Sequence, residues 1–166
     1  MRWLLLIVGV LVLLVLVIVV IGFLLPKSHR ATRTARFHQP ADAIFAAITG
    51  PQDWRGVEKT ELSNSGGPRR WIEKSGRHSI TFEELASEPP RLYRSRIADP
   101  TLPFGGTWTW QISPTPDGCA CQITEDGEVY NPVFRFVSAL IIGHTKTIDD
   151  YLKAMEKKFN DPAKIL

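Results

Sequence analysis

The chain has 166 residues, 44% of them apolar, and a formal net charge of +3. The length suits one domain, but the uneven spread of apolar residues excludes a simple soluble protein. The basic charge is local too: from Phe37 onward 15 Lys/Arg stand against 17 Asp/Glu, and no basic stripe with interleaved aromatics is present, which excludes a nucleic-acid surface.

Residues 3–25 carry no charge, and 20 of these 23 are Leu, Ile, Val or Phe. As a helix the run reaches about 35 Å, slightly more than a bilayer core of about 30 Å. At about −0.3 to −0.6 kcal/mol per central apolar residue, insertion gains at most about 6 to 12 kcal/mol. The competing reading is a cleavable signal peptide. Its apolar region would be shorter, and Phe23-Leu24-Leu25-Pro26-Lys27 offers no pair of small residues for cleavage. Residues 1–26 are therefore read as an uncleaved single-span anchor. Residues 27–36 form a basic juxtamembrane segment with Lys27, Arg30, Arg33 and Arg36 and no acid. Such a collar sets topology and meets anionic headgroups. The positive-inside rule places the following domain in the cytoplasm, at the cell membrane. Cys119 and Cys121 agree, since i, i+2 neighbours on a strand suit reduced side chains better than a strained bridge.

Ala31 to His38 reads as a first, weakly apolar strand. Pro40 and Asp42 open a short helix whose stripe is Ala43, Ile44, Ala47 and Ile48, and Gly50-Pro51 ends it. A second short helical turn starts at Pro51 to Trp54. Strand patterns then follow over 57–63, 69–74, 78–85, 92–98, 104–112 and 119–130. Turn chemistry separates them, including Asn64-Ser65-Gly66-Gly67-Pro68 and Pro114-Thr115-Pro116-Asp117-Gly118. Phe104, Gly106, Trp108, Trp110 and Ile112 share one face of the clearest strand. Asp126-Gly127 suggests a bulge in the last one. Seven strands with short links make a mostly antiparallel meander.

Asn131-Pro132 signals the start of a helix. Phe134, Val137, Ile141, His144, Ile148, Tyr151 with Leu152, Met155 and Phe159 recur at helical spacing. Arg135, Lys146, Asp149, Asp150, Lys153, Lys157 and Lys158 lie opposite. The spacing predicts one helix of roughly 28 residues that lays its apolar face on the curved sheet.

One strand, two small helices, six strands and a long C-terminal helix resemble the START-like helix-grip superfamily, in its polyketide cyclase/dehydrase and lipid-transport (SRPBCC) group. The carriers of the resemblance are Phe37 to Phe45, Thr107-Trp108-Thr109-Trp110, and the run from Thr124 to Pro132. The resemblance implies an α+β helix-grip domain over residues 30–160, a seven-stranded antiparallel curved sheet wrapped on a long C-terminal helix, with 161–166 as a tail. It also implies an elongated apolar cavity between sheet and helix, and hence a small hydrophobic or lipid-like ligand. An N-terminal anchor is not part of the family's usual core.

Candidate cavity residues are Trp71, Phe82, Tyr93, Trp108, Trp110, Phe134, Ile141, His144 and Ile148. Each aromatic could instead simply fill the core, although a buried indole N–H needs a partner. His144, on the apolar face of the last helix, is either bonded within the protein or aimed at a ligand. His29, His38 and His78 lack metal-type spacing, so no metal site and no cofactor are assigned, and no catalytic residue is named. Cys119 and Cys121 read as small core residues. Glu83-Glu84 and Asp149-Asp150 are adjacent in sequence, face different directions, and read as solvated. The preferred function is a membrane-tethered binding module for a hydrophobic ligand, with no nucleic acid as partner. The alternatives are a cyclase- or dehydratase-like enzyme with His144 in an acid–base pair, and a regulatory or structural membrane protein with a filled grip domain.

Overall fold

A computed structural model describes residues 1–63 and 66–165. Asn64 and Ser65, part of the turn expected at 64–68, and Leu166 lie outside the described residues. The apolar run forms a single helix, α1 (Arg2–Leu24), long and apolar enough to cross a membrane. Its side chains are almost all exposed, so nothing in the protein shields them from the surrounding phase.

Strand β1 (Ser28–Phe37) follows after only three residues and is longer than its weak apolar pattern suggests. Helix α2 (Ala41–Thr49) buries Ile44, Ala47 and Ile48 of the expected stripe, with Phe45 buried in place of half-buried Ala43. A 3-10 turn over Asp53–Arg55 leads into the meander: β2 (Glu58–Glu61), β3 (Arg70–Ser75), β4 (His78–Glu88), β5 (Leu92–Ile97), β6 (Phe104–Thr115) and β7 (Gly118–Val129). The order across the sheet is β2-β3-β4-β5-β6-β7-β1, with every pair antiparallel. The first strand therefore lies beside the last, Ser28 opposite Glu128 and Phe37 opposite Cys119. An eighth strand, β8 (Lys164–Ile165), adds two residues beyond β1.

Strand β7 shows why the meander curls around a core. Cys119, Cys121, Ile123, Gly127 and Val129 are buried at alternate positions, interrupted only at half-buried Glu125, as a strand with one inward face requires. Both cysteines are free and buried. Burial pushes their thiols up, Cys119 to about 11 and Cys121 to about 12, which keeps them in the unreactive form.

Five expectations are corrected. Glu83, expected in solvent, is 4% exposed and accepts from Arg70 and Arg96. Asp126-Gly127 is not a bulge: the register runs unbroken through Arg30↔Asp126 and His29↔Gly127 on one side and Gly106↔Gly127 on the other. The register shift lies instead in β4, between Glu84 and Ala86. The C-terminal segment is not one long helix. It comprises α3 (Pro132–Val137), a wide π-helical turn over Ser138–Ile142, a break at Gly143, and α4 (Lys146–Phe159). Gly143 has φ 80° and ψ 150°, a conformation essentially restricted to glycine, so the apolar spacing continues through a point where the backbone does not. Arg135, expected in solvent, is buried at 4% exposure. Finally, two of the four collar residues are paired within the domain: Arg30 with Asp126, and Arg33 with Asp149 at 2.9 Å.

Asn131 caps α3 as expected, its side-chain oxygen accepting from the Val133 and Phe134 N–H groups at 2.9 and 3.2 Å. Helix α4 buries Ile148, Tyr151, Leu152 and Met155 in the core cluster that α2 and the inward face of the sheet also supply. After it, buried Asp161 accepts from the His38 backbone N–H at 2.7 Å and pairs with its ring Nδ1 at 2.8 Å.

Candidate functional site

A hollow of about 760 Å³ separates the sheet from α4 and the π-helical turn. That is within the usual range for small-molecule sites. Aromatic side chains from the inward faces of four strands form its floor. Trp71 and Phe82 stack at 5.7 Å, Tyr93 meets Trp110 at 5.5 Å, and Trp110 meets Trp108 at 5.6 Å. Tyr151 of α4 closes on both tryptophans at 6.0 Å. Strand alternation places this set together: Trp71↔Phe82, Tyr93↔Trp110 and Phe82↔Ile97 are directly opposed pairs on one face.

Two polar ends bound the aromatic floor. At one, Arg55 lies 4.8 Å above the Tyr151 ring and pairs with Glu73 at 2.8 Å. At the other, three residues distant in sequence converge. Glu125 occupies the inward parity of β7, opposite Trp108 on β6 and Ala31 on β1. His29 lies on the same face of β1, and its ring rests on Gly127, where a Cβ would collide with it. His144, released from helical geometry by Gly143, stacks its ring on that of His29 at 3.9 Å, 16° from parallel. Burial, and then the neighbouring His144, hold the His29 ring below its ordinary pKa. Burial raises the Glu125 carboxyl to about 7. His29 Nε2 is 3.9 Å from Glu125 Oε1, too far for a hydrogen bond.

Three buried polar atoms have no hydrogen-bond partner among the described residues: Tyr93 Oη, Trp110 Nε1 and Glu125 Oε2. All three residues face the hollow. Buried polar atoms normally find partners, so these are three unmet hydrogen-bonding groups on residues that line the hollow. Burial also pushes the Tyr93 phenol up, so it stays protonated.

Of the sequence-based candidates, Trp71, Phe82, Tyr93, Trp108, Trp110, Phe134 and His144 lie on the wall of the hollow. Ile148 does not: it is fully buried in the core beneath α4. Ile141 is 69% exposed on the π-helical turn and does not line the hollow. Sequence reasoning missed Glu125 and His29. The signal for Glu125 was present: an acid shares the inward parity of Cys119, Cys121, Ile123 and Val129. His29 lies before the strand expected at Ala31 to His38, and the structure extends that strand back to Ser28.

The rim of the hollow is unusual for a soluble domain. Phe134 and Ile142 line it and are also exposed, and Val133, Leu140 and Ile141 extend the same apolar surface outward. The C-terminal end of α1 lies beside them. Gly22 packs against the Pro132 backbone, and Arg135 reaches across, donating through Nη1 to the Gly22 and Leu25 carbonyls at 3.0 and 3.1 Å. The same guanidinium donates to the Val129 and Tyr130 carbonyls at 3.1 and 3.2 Å. A cation there satisfies the last carbonyls of α1 and opposes the negative end of its dipole.

The family model for polyketide cyclase/dehydrase and lipid transport matches residues 28–160. No curated protein matches by sequence. Among solved structures, protein MLL2253 from Mesorhizobium loti is similar with a TM-score of 0.61 at 15% identity, over 80% of this chain and 97% of that one. Norcoclaurine synthase from Thalictrum flavum follows with a TM-score of 0.60 at 14% identity, over 80% and 93%. An HSP90 activator from Plasmodium falciparum gives a TM-score of 0.58 at 15% identity, over 84% and 100%. At these identities the likeness is one of fold, and the fold carries a synthase and a chaperone activator alike.

Proposed function

The chain belongs to the polyketide cyclase/dehydrase and lipid transport family, and on that premise we propose that it is a membrane-tethered binding module for a small hydrophobic or lipid-like ligand. The observation that carries the reading is the position of the hollow's rim. An aromatic-lined space of about 760 Å³ opens beside exposed Phe134 and Ile142, next to the end of a helix of membrane-crossing length. Exposed apolar side chains in such a cluster are costly in water and favourable in the bilayer interface. Arg135 ties that rim to α1, so anchoring the helix brings the mouth of the hollow to the bilayer surface. Ligand dissolved in the membrane then meets the hollow at high local concentration.

The domain is assigned to the cytoplasmic side on the strength of Lys27 and the three arginines that follow it, against Arg2 alone before the span. A C-terminal fusion to a reporter active only outside the cytoplasm should be silent, and an active fusion reverses this assignment.

Native mass spectrometry of the full chain ejected from nanodiscs tests the ligand reading. A bound species of small-molecule mass is expected. Ala154, on α4 and lining the hollow, supplies the control: Ala154→Phe should fill the space and displace the species. A ligand-free wild-type spectrum after exposure to total lipid extract sinks the reading.

A second reading, a cyclase- or dehydratase-like enzyme, draws support from Glu125. Its carboxyl, raised to about 7 beside two histidines, has the near-neutral value a general acid–base needs. Conversion of a ligand in a turnover assay, lost in His144→Ala, would favour it over simple binding.

A further inference from the structure

The charged side chains of the hollow, taken one by one, isolate Glu125. At the far end Arg55 and Glu73 satisfy each other at 2.8 Å. On α4, Lys146 pairs with Asp150 at 2.6 Å. On β7, Glu128 accepts from the Tyr130 hydroxyl at 2.9 Å. The two histidines facing Glu125, His29 from β1 and His144 from the segment before α4, stack on one another. Neither donates to Glu125 at hydrogen-bond distance, and its Oε2 is buried with no partner among the described residues. Glu125 is thus the one acid on the wall whose counterpart the described residues do not supply. Its cross-strand neighbour is Trp108, the first ring of the aromatic floor.

We propose that Glu125 is the head-group site of the hollow, and that it selects an amphipathic amine, with the ammonium on Glu125 Oε2 and the apolar body along Trp108, Trp110 and Tyr151. The inference rests on the reading of the hollow as a ligand site and names its ligand class. Three physical arguments select an amine. An ionised carboxylate is acceptor-only, so it calls for a donor, and a charged donor makes the stronger bond. Aromatic faces attract a cation and give nothing comparable to an anion. A carboxylate ligand would meet Glu125 as a like charge, and burial with the neighbouring His144 holds the His29 ring below its ordinary pKa, which disfavours a compensating positive charge there.

The pairing carries a pH signature. Ammonium binding needs the carboxylate form, and burial raises that carboxyl to about 7. Amine affinity therefore climbs about tenfold per pH unit below 7 and levels off above it. Binding at pH 6 releases a proton.

The test uses three probes of equal apolar length: octylamine, octanol and octanoate. Each is titrated calorimetrically into the full chain in nanodiscs, with empty nanodiscs as blank. At pH 8 octylamine should bind at least tenfold tighter than octanol, and octanoate weakest. Between pH 6.5 and 5.5 the amine should lose about tenfold while octanol stays constant. Glu125→Gln should abolish the amine preference and keep octanol binding, which also reports that the variant is folded. Glu125→Asp, with its carboxylate intact, should keep the preference if the Gln variant does not fold. Equal binding of amine and alcohol at pH 8, or a preference that survives in a folded Glu125→Gln, overturns the proposal and leaves the hollow as a ligand site. Failure of all three probes to bind overturns both.

Discussion

Helix α4 and the α3–π segment before it share one apolar spacing and bury opposite things. Helix α4 places Ile148, Leu152 and Met155 at zero exposure in the core. The segment before it leaves Phe134, Leu140, Ile141 and Ile142 exposed and buries an arginine. Apolar periodicity shows that a face avoids water, but not which apolar phase receives it. For α4 the phase is the protein interior. For the α3–π segment, lying against the end of α1, we infer that it is the bilayer interface.

The sharpest way to break this contrast is a matched pair of truncations. Leu152→Ala should cost about 2–5 kcal/mol of stability, as a fully buried Leu→Ala change does. Ile141→Ala should stay within about 0.5 kcal/mol, as an exposed position does. Denaturant unfolding of the full chain in detergent micelles measures both, and equal costs would end the distinction.

The buried arginine comes next. Arg135→Ala strips donors from four backbone carbonyls and should cost about 3 kcal/mol, taking each lost charged hydrogen bond at about 1.5–3 kcal/mol and allowing water to replace part of them. Hydrogen exchange in the last turn of α1 should rise in the same variant. Arg135→Lys should rescue little, since an ammonium cannot reach carbonyls on both elements. Unchanged exchange would show that α1 and the grip domain are not clamped.

The β7 carboxylate facing the junction of α4 with the α3–π segment gives a pH prediction. Glu125 is an acid whose folded pKa, about 7, lies above its ordinary 4.5. The folded state therefore holds the proton more tightly. Below pH 4.5 both states are protonated and nothing is lost. Stability then falls as pH rises from 4.5 to 7, by at most about 3 kcal/mol, and is flat beyond. Glu125→Gln should remove that slope, and a slope that persists in the variant would locate it elsewhere.

The smallest effect is expected at the break itself. Gly143→Ala forces a side chain into a conformation reserved for glycine and should cost about 1–3 kcal/mol. If the chain instead straightens, α3 and α4 fuse, His144 leaves His29, and the hollow loses its polar end. Histidine ring NMR signals, sensitive to stacking, distinguish the two outcomes.

Much of the molecule was legible in its residues. The charge-free run predicted α1, and strand alternation placed Trp108 and Trp110 on one face of their strand. These are local properties, carried by neighbours one to four positions apart, and a periodic pattern reports them faithfully. Glu125 was half legible, as an acid at an inward parity. The break at Gly143 was not, since one glycine inside an apolar helical pattern usually costs stability without breaking the helix.

By itself, then, the sequence determined the membrane-length helix and the meander, because each follows from short-range periodicity and composition, and it carried the resemblance to the grip family in a few residue runs. Only the tertiary structure decided the site. His29, Glu125 and His144 meet because the sheet pairs its first strand with its last, in a register that sets His29 over Gly127, and because the helix opens at Gly143 to set one imidazole on the other. Register and helix rupture are settled by the whole packed domain, through contacts spanning a hundred residues of chain, and no local pattern encodes them.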